Sequence, residues 1–130
     1  MKAEPLLRVT NIGKSFIERR GLFRKEAVRA LEQISFTLEP GETLALVGEA
    51  GSGKSTLAKL MQGFYWPQEG QITLDGRDIR QLAANELRAT FGVVPQETVL
   101  FSGTVYENLA MAHPHASFED VIAACKAAEI

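Results

Sequence analysis

The chain has 130 residues, 45% hydrophobic and 23% charged, with 14 Lys and Arg against 16 Asp and Glu and a formal charge of −2. That is enough chain for one core and an ordinary globular composition, which argues against disorder, and the charge balance excludes the basic signature of a nucleic-acid binder. A single cysteine, Cys125, excludes an internal disulfide framework; no apolar run approaches the ~18 residues of a membrane span; Met1-Lys2-Ala3-Glu4-Pro5 lacks an apolar signal core, so a cytoplasmic domain is expected.

Leu6 to Phe16 reads as a strand with irregular edges, with Leu7, Val9 and Ile12 apolar among polar neighbours. Ile17-Glu-Arg-Arg-Gly-Leu-Phe-Arg-Lys25 breaks the pattern and reads as a loop or hairpin tip carrying Arg19, Arg20, Arg24 and Lys25. Such a run is either a solvated basic loop or a contact for an anionic ligand or partner. Ala27 to Leu38 resumes strand character, and Pro40-Gly41 marks a turn. Glu42 to Val47 is nearly continuous and apolar, the pattern of a strand buried on both faces. Leu57, Leu60, Met61 and Phe64 then recur at helical spacing, with Gly63 as a stop.

Gln71 to Ile79 alternates, and Asp75-Gly76 suits a type I′ turn, so a hairpin is predicted. A short helix over Leu82–Thr90 and a short strand over Phe91–Pro95 follow, then a loop with a helix near Val105–Ala110. Ala112 to Ala116 reads as a linker whose His113 and His115 have no metal-ligand company. The last helix has Ser117 as N-cap with Asp120 three residues on, and an apolar stripe of Phe118, Val121, Ile122, Cys125 and Ala128. Cys125 therefore reads as a packing residue. Glu119-Asp120 reads as a helix start.

One motif carries chemistry. Gly48-Glu-Ala-Gly51-Ser52-Gly53-Lys54-Ser55 matches G-x-x-x-x-G-K-[ST] between a predicted strand and a predicted helix. Gly48, Gly51 and Gly53 free the backbone so that the amides from Gly51 to Thr56 can face phosphate oxygens. The helix start adds its positive dipole end. Lys54 brings an ammonium to the β- and γ-phosphates, Ser55 a hydroxyl to Mg²⁺, and Thr56 a donor to the α-phosphate.

With Asn11-Ile-Gly-Lys-Ser-Phe16 before this loop, and Val93-Val-Pro-Gln96-Glu and Leu100-Phe-Ser-Gly-Thr-Val-Tyr-Glu-Asn-Leu109 after it, the chain resembles the ATP-binding domain of ABC transporters. The resemblance implies an α/β, P-loop NTPase-type three-layer fold, truncated, with an N-terminal antiparallel β-subdomain. It divides the chain into a β-rich start (1–47), the P-loop and its helix (48–64), a hairpin, short helix and Q-loop strand (65–96), and the beginning of the helical subdomain (97–130). It makes Phe16 the adenine platform, with a plain core position as the alternative, and brings Gln96 to Mg²⁺ and the attacking water. Gly21 to Lys25 resembles peptide importers, whereas Pro67–Gly76 and Leu100–Leu109 resemble exporters, so the chain reads as a mosaic.

The resemblance also implies ATP or ADP with Mg²⁺, a transporter transmembrane domain as partner, and the cytoplasmic face of the membrane. Lys54 and Gln96 would be the catalytic groups. The expectation is a module that binds nucleotide without turnover, since no apolar run ending in Asp-Glu, no LSGGQ-like segment and no histidine after such a run is present. Two other readings stay open: an ATPase half completed by a partner, and a folded fragment without nucleotide function. The resemblance implies that the apolar runs Glu42–Val47 and Phe91–Val94 are not neighbours in the family's sheet and would here have unpaired edges. Either the two pair within one chain, or two chains exchange elements, and a homodimer or strand-exchanged oligomer is the outcome expected.

Overall fold

A computed structural model describes residues 4–130; the start of the segment read as lacking a signal core, Met1 to Ala3, lies outside them. The chain divides into two compact units, one up to Gly92 and one from Val93 to Ile130.

The first unit is built on a four-stranded antiparallel sheet of β1 (Leu7–Arg20), β2 (Arg24–Leu38), β3 (Glu69–Leu74) and β4 (Arg77–Asp78), in the order β2-β1-β3-β4. The irregularity seen in the sequence of β1 is real. Its ladder with β2 shifts register between Val9 and Ile12, Ile12 and Lys14, and Lys14 and Ser15. These shifts bring Ile12 onto the same buried cluster as Leu7 and Val9, which strict alternation would not do. Asp75 and Gly76 have φ of 47° and 75° between Leu74 and Arg77, as a type I′ turn requires.

Helix α1 (Lys54–Met61) closes the core with Leu57 and Leu60, beside Leu31, Ile72, Leu74, Ile79 and Leu87. It ends as its sequence predicts. The Gly63 amide donates to Leu60 O at 3.0 Å and the Phe64 amide to Lys59 O at 2.9 Å, the paired bonds of a Schellman motif. A 3₁₀ turn (Ile79–Gln81), N-capped by Asp78, leads to α2 (Ala84–Ala89), which places Leu87 in the core.

Two expectations fail. Glu42–Val47 forms no strand, and Leu44, Leu46 and Val47 are exposed, Val47 at 95%. Phe91–Pro95 likewise forms none; Phe91 packs on the core edge, but Val94 is 95% exposed. The reason is common to both. An apolar run becomes a doubly buried strand only when strands flank it, and among the described residues no strand pairs with either.

The second unit holds α3 (Val105–Ala110) and α4 (Phe118–Ala127). Both begin with a complete capping box, Thr104 with Glu107 and Ser117 with Asp120. Asn108 clamps the turn before α3, accepting from the Phe101 amide at 2.8 Å and donating to Phe101 O at 3.0 Å. Tyr106 and Phe118 meet at a ring separation of 5.6 Å. Of the predicted α4 stripe, Val121 is buried. Val121, Cys125 and Ala128 line an apolar cavity of about 440 Å³ with Leu109.

Candidate functional site

The glycine-rich loop leaves the exposed segment after Pro40 and turns through Gly51 and Gly53, with φ of 81° and 90°. At Gly53 the backbone passes tightly over β2. A Cβ there would lie 2.5 Å from Ala30 O and 2.6 Å from a Leu31 methyl, so this position has neither the conformation nor the space for a side chain.

Gly53 is also the N-cap of α1 and brings no side chain to cap it. The first intrahelical bond runs from the Leu57 amide to Gly53 O at 2.9 Å. The amides of Lys54, Ser55 and Thr56 therefore have no acceptor within the helix. They face outward at the positive end of the helix dipole, an arrangement suited to an anion.

Lys54 folds back over the loop. Its ammonium donates to Gly48 O, to Glu49 O at 2.8 Å and to Ser52 Oγ at 2.9 Å. Three oxygens of the loop, from Gly48, Glu49 and Ser52, thus hold one positive charge. Gly48 is close-set here: a Cβ would meet Ser52 Oγ at 2.6 Å. Beneath, Lys54, Ser52 and Gly53 share a cavity of about 150 Å³ with apolar Leu31, Ile34, Leu46, Val47 and Leu57. Ser55 is exposed on the first turn of α1, and Thr56 is half-buried.

Phe16 lies on β1, opposite Val28, and is half-buried outside the buried core cluster. Its ring meets Tyr65 edge-on at 5.3 Å between centroids. The Lys14 ammonium sits 5.3 Å from the Phe16 ring centre and 5.9 Å from that of Tyr65, and is anchored on Trp66 O at 2.9 Å. The segment carrying Tyr65 is fixed against β1 by Gln68, which accepts from the Ser15 amide at 2.6 Å and donates to Ser15 O at 3.2 Å. Lys14 and Tyr65 were not singled out from the sequence. The only signal was the aromatic run Phe64-Tyr65-Trp66 after a helix stop. Gln96 lies in the second unit, exposed in a bend.

These residues fit a nucleotide phosphate chain: amides without a helical acceptor, a helix start and the Lys54 ammonium converge on one loop. They also fit Mg²⁺, which takes one or two protein oxygens and completes its shell with phosphate and water. Ser55 supplies such an oxygen.

Residues 31–130 match the family described as ABC transporter. The chain is 50% identical over 101 residues to "ABC transporter aclQ" of Aspergillus oryzae, covering 78% of this chain and 13% of that protein. It is 45% identical over 100 residues to the mitochondrial "Iron-sulfur clusters transporter ATM1" of Kluyveromyces lactis, covering 77% and 14%. With the "ATP-dependent lipid A-core flippase" of Methylobacillus flagellatus it shares 47% over 100 residues, covering 76% and 17%. A solved structure described as a bacterial Atm1-family ABC exporter with ATP bound superposes with a TM-score of 0.81 at 39% identity, covering 97% of this chain and 21% of that one. The chain thus spans less than a quarter of the length of each.

Proposed function

Because the chain belongs to the ABC transporter family, as part of its α/β P-loop ATP-binding domain, we propose that it binds ATP or ADP with Mg²⁺ at the loop from Gly48 to Thr56. The observation that carries this reading is the Lys54 ammonium held inside a loop whose following helix opens with uncapped amides. Gly51 to Thr56 would hold the phosphates, and Lys54 would exchange its loop oxygens for the β- and γ-phosphates. Ser55 would hold Mg²⁺, whose charge would offset that of the phosphates. Gln96 would approach the metal and the attacking water, and Phe16 would take the adenine ring. The division into segments 1–47, 48–64, 65–96 and 97–130 belongs to the same reading.

Phosphoryl transfer depends on positioning and charge stabilisation. The chain's own residues supply the phosphate side of both. We therefore propose binding without turnover by these 130 residues, and hydrolysis once a partner completes the site. A transporter transmembrane domain and the cytoplasmic face of a membrane are the setting this reading gives the chain.

Calorimetric titration with ATP, ADP and AMP in Mg²⁺ tests the reading. Binding of ATP and ADP well above AMP is expected. Equal affinity for all three would remove the loop from the binding site and overturn the assignment. Phosphate release above background that vanishes in Lys54→Ala would replace the binding module with an active ATPase half.

A further inference from the structure

The β1–β2 hairpin projects beyond the sheet. Pairing of β1 with β3 ends at Gly13 opposite Glu69, while pairing with β2 continues to Arg20 opposite Arg24. Residues 17–27 are therefore a two-stranded ribbon with no third strand, a form marginally stable in water on its own.

The chemistry of this ribbon is layered along its length. Gly21, Leu22 and Phe23 form the turn, and Leu22 and Phe23 are 91% and 94% exposed. Behind them come two successive cross-strand cation pairs, Arg20 opposite Arg24 and Arg19 opposite Lys25. Only behind those does an acidic pair appear, Glu18 opposite Glu26, with Glu26 3.5 Å from Arg20. Like charges placed directly opposite destabilise a ladder, and the diagonal Arg20–Glu26 ion pair, exposed on both sides, offsets this only weakly. Because successive strand residues point to opposite faces, one cation pair lies on each face. The four charges encircle the tip instead of lining one side.

We propose that this tip is a surface anchor that enters an anionic lipid bilayer end-on. Leu22 and Phe23 would pass below the headgroups, and Arg19, Arg20, Arg24 and Lys25 would contact the lipid phosphates. At about 3.3 Å per residue, the outer cation pair lies roughly 7 Å and the inner pair roughly 10 Å behind Leu22, within the ~5–10 Å depth of the headgroup and acyl boundary. A ring of cations behind an apolar point suits a plane entered perpendicularly. An acidic protein laid along the hairpin would meet only one of the two cation pairs. The proposal is independent of the nucleotide site.

The test is co-sedimentation of the full chain with phosphatidylcholine vesicles, with and without phosphatidylglycerol, at low and high salt. The expected result is salt-sensitive binding to the anionic vesicles only. It should fall at least about tenfold in the double variant Leu22→Ser/Phe23→Ser and in Arg20→Gln/Arg24→Gln. All four residues are exposed, so far-UV circular dichroism should be unchanged. Phe23→Trp should show blue-shifted emission on anionic vesicles, over and above the signal of Trp66. Absence of binding at low salt, equal binding by the variants, or retention only by an acidic polypeptide without a blue shift would overturn the proposal.

Discussion

Arg29 on β2 and Glu69 on β3 join across β1 in a two-pronged ion pair, Nη1 to Oε1 at 3.0 Å and Nη2 to Oε2 at 2.9 Å. The strand between them offers Gly13 at the crossing point. A Cβ on Gly13 would stand 2.7 Å from Glu69 Oε2 and 3.0 Å from Arg29 Nη2. The pair lies over the backbone only because nothing projects from it.

Gly13→Ala should therefore lower the thermal midpoint mainly by displacing this pair. Its effect should shrink when Glu69→Ala is already present, as residues sharing one interaction do not add. Equal effects in both backgrounds would mean that Gly13 acts through the strand alone. The same pair sets a pH dependence. Arg29 holds the Glu69 carboxyl below its ordinary 4.5 through their hydrogen bonds and charge. A depressed carboxylate stabilises the fold fully above its unfolded value and loses that contribution as pH falls through the folded one. Acid titration of Glu69→Gln should show a smaller loss of stability below about pH 4.5 than the parent chain.

The two glycines of the phosphate loop differ in a measurable way. Gly51 has positive φ but open space around it, whereas Gly53 has positive φ and Ala30 O in the way. Gly51→Ala should cost only the left-handed conformation, about 1–2 kcal/mol. Gly53→Ala should cost more, because a backbone oxygen must move. Denaturant unfolding of both variants checks the order; a reversed order would mean the loop leaves β2 in solution.

Removing the Lys54 ammonium should weaken ATP binding by about 1.5–3 kcal/mol, the range for a charge-assisted contact. Lys54 lies on an exposed turn of α1, and the core beneath it is made by Leu57 and Leu60. Fold stability should therefore change far less than affinity. Comparing calorimetry with thermal unfolding of Lys54→Ala separates the two.

If Phe16 receives adenine, Phe16→Ala should reduce affinity for ATP by about 1–3 kcal/mol, as stacked bases do elsewhere. Inorganic triphosphate should bind as before. Tyr65→Ala should act in the same direction and less strongly, since Tyr65 meets the edge of that ring. Loss for both ligands alike would assign Phe16 to packing.

What the sequence revealed followed the range of its signals. The turn at Asp75-Gly76, the stop at Gly63 and the capping box at Ser117 and Asp120 depend on residues a few positions apart, and each formed as its residue types require. The loop around Lys54 belongs to the same local class. The expectation for Glu42–Val47 failed because its apolar pattern describes a neighbourhood, and the segment does not carry that neighbourhood with it. The contact of Phe16 with Tyr65 was invisible for a related reason. It depends on β1 pairing with β3 and on Gln68 binding Ser15, neither of which leaves a periodic trace.

Exposed Leu44, Leu46, Val47, Val93 and Val94 should drive self-association, since wet apolar strand formers seek pairing as well as burial. Light scattering at micromolar concentration should show a dimer or larger species. Leu46→Lys/Val47→Lys should shift the population toward monomer. A parent chain that stays monomeric on concentration would overturn the expectation.

The sheet order separates the phosphate loop from the structure that carries it. β2 ends at Leu38 and β3 begins at Glu69, yet neither pairs with the other; both pair with β1. Everything between them, the loop and α1 included, is an excursion whose length no ladder measures. Closing such an excursion costs only about 0.6 kcal/mol more for each doubling of length. Residues inserted between Pro40 and Gly48 should therefore leave the register of Leu7 with Leu38 and Leu74 intact. The connection into the loop can thus change in length while Gly53 against β2 and Leu57 and Leu60 in the core keep the loop's far end in place.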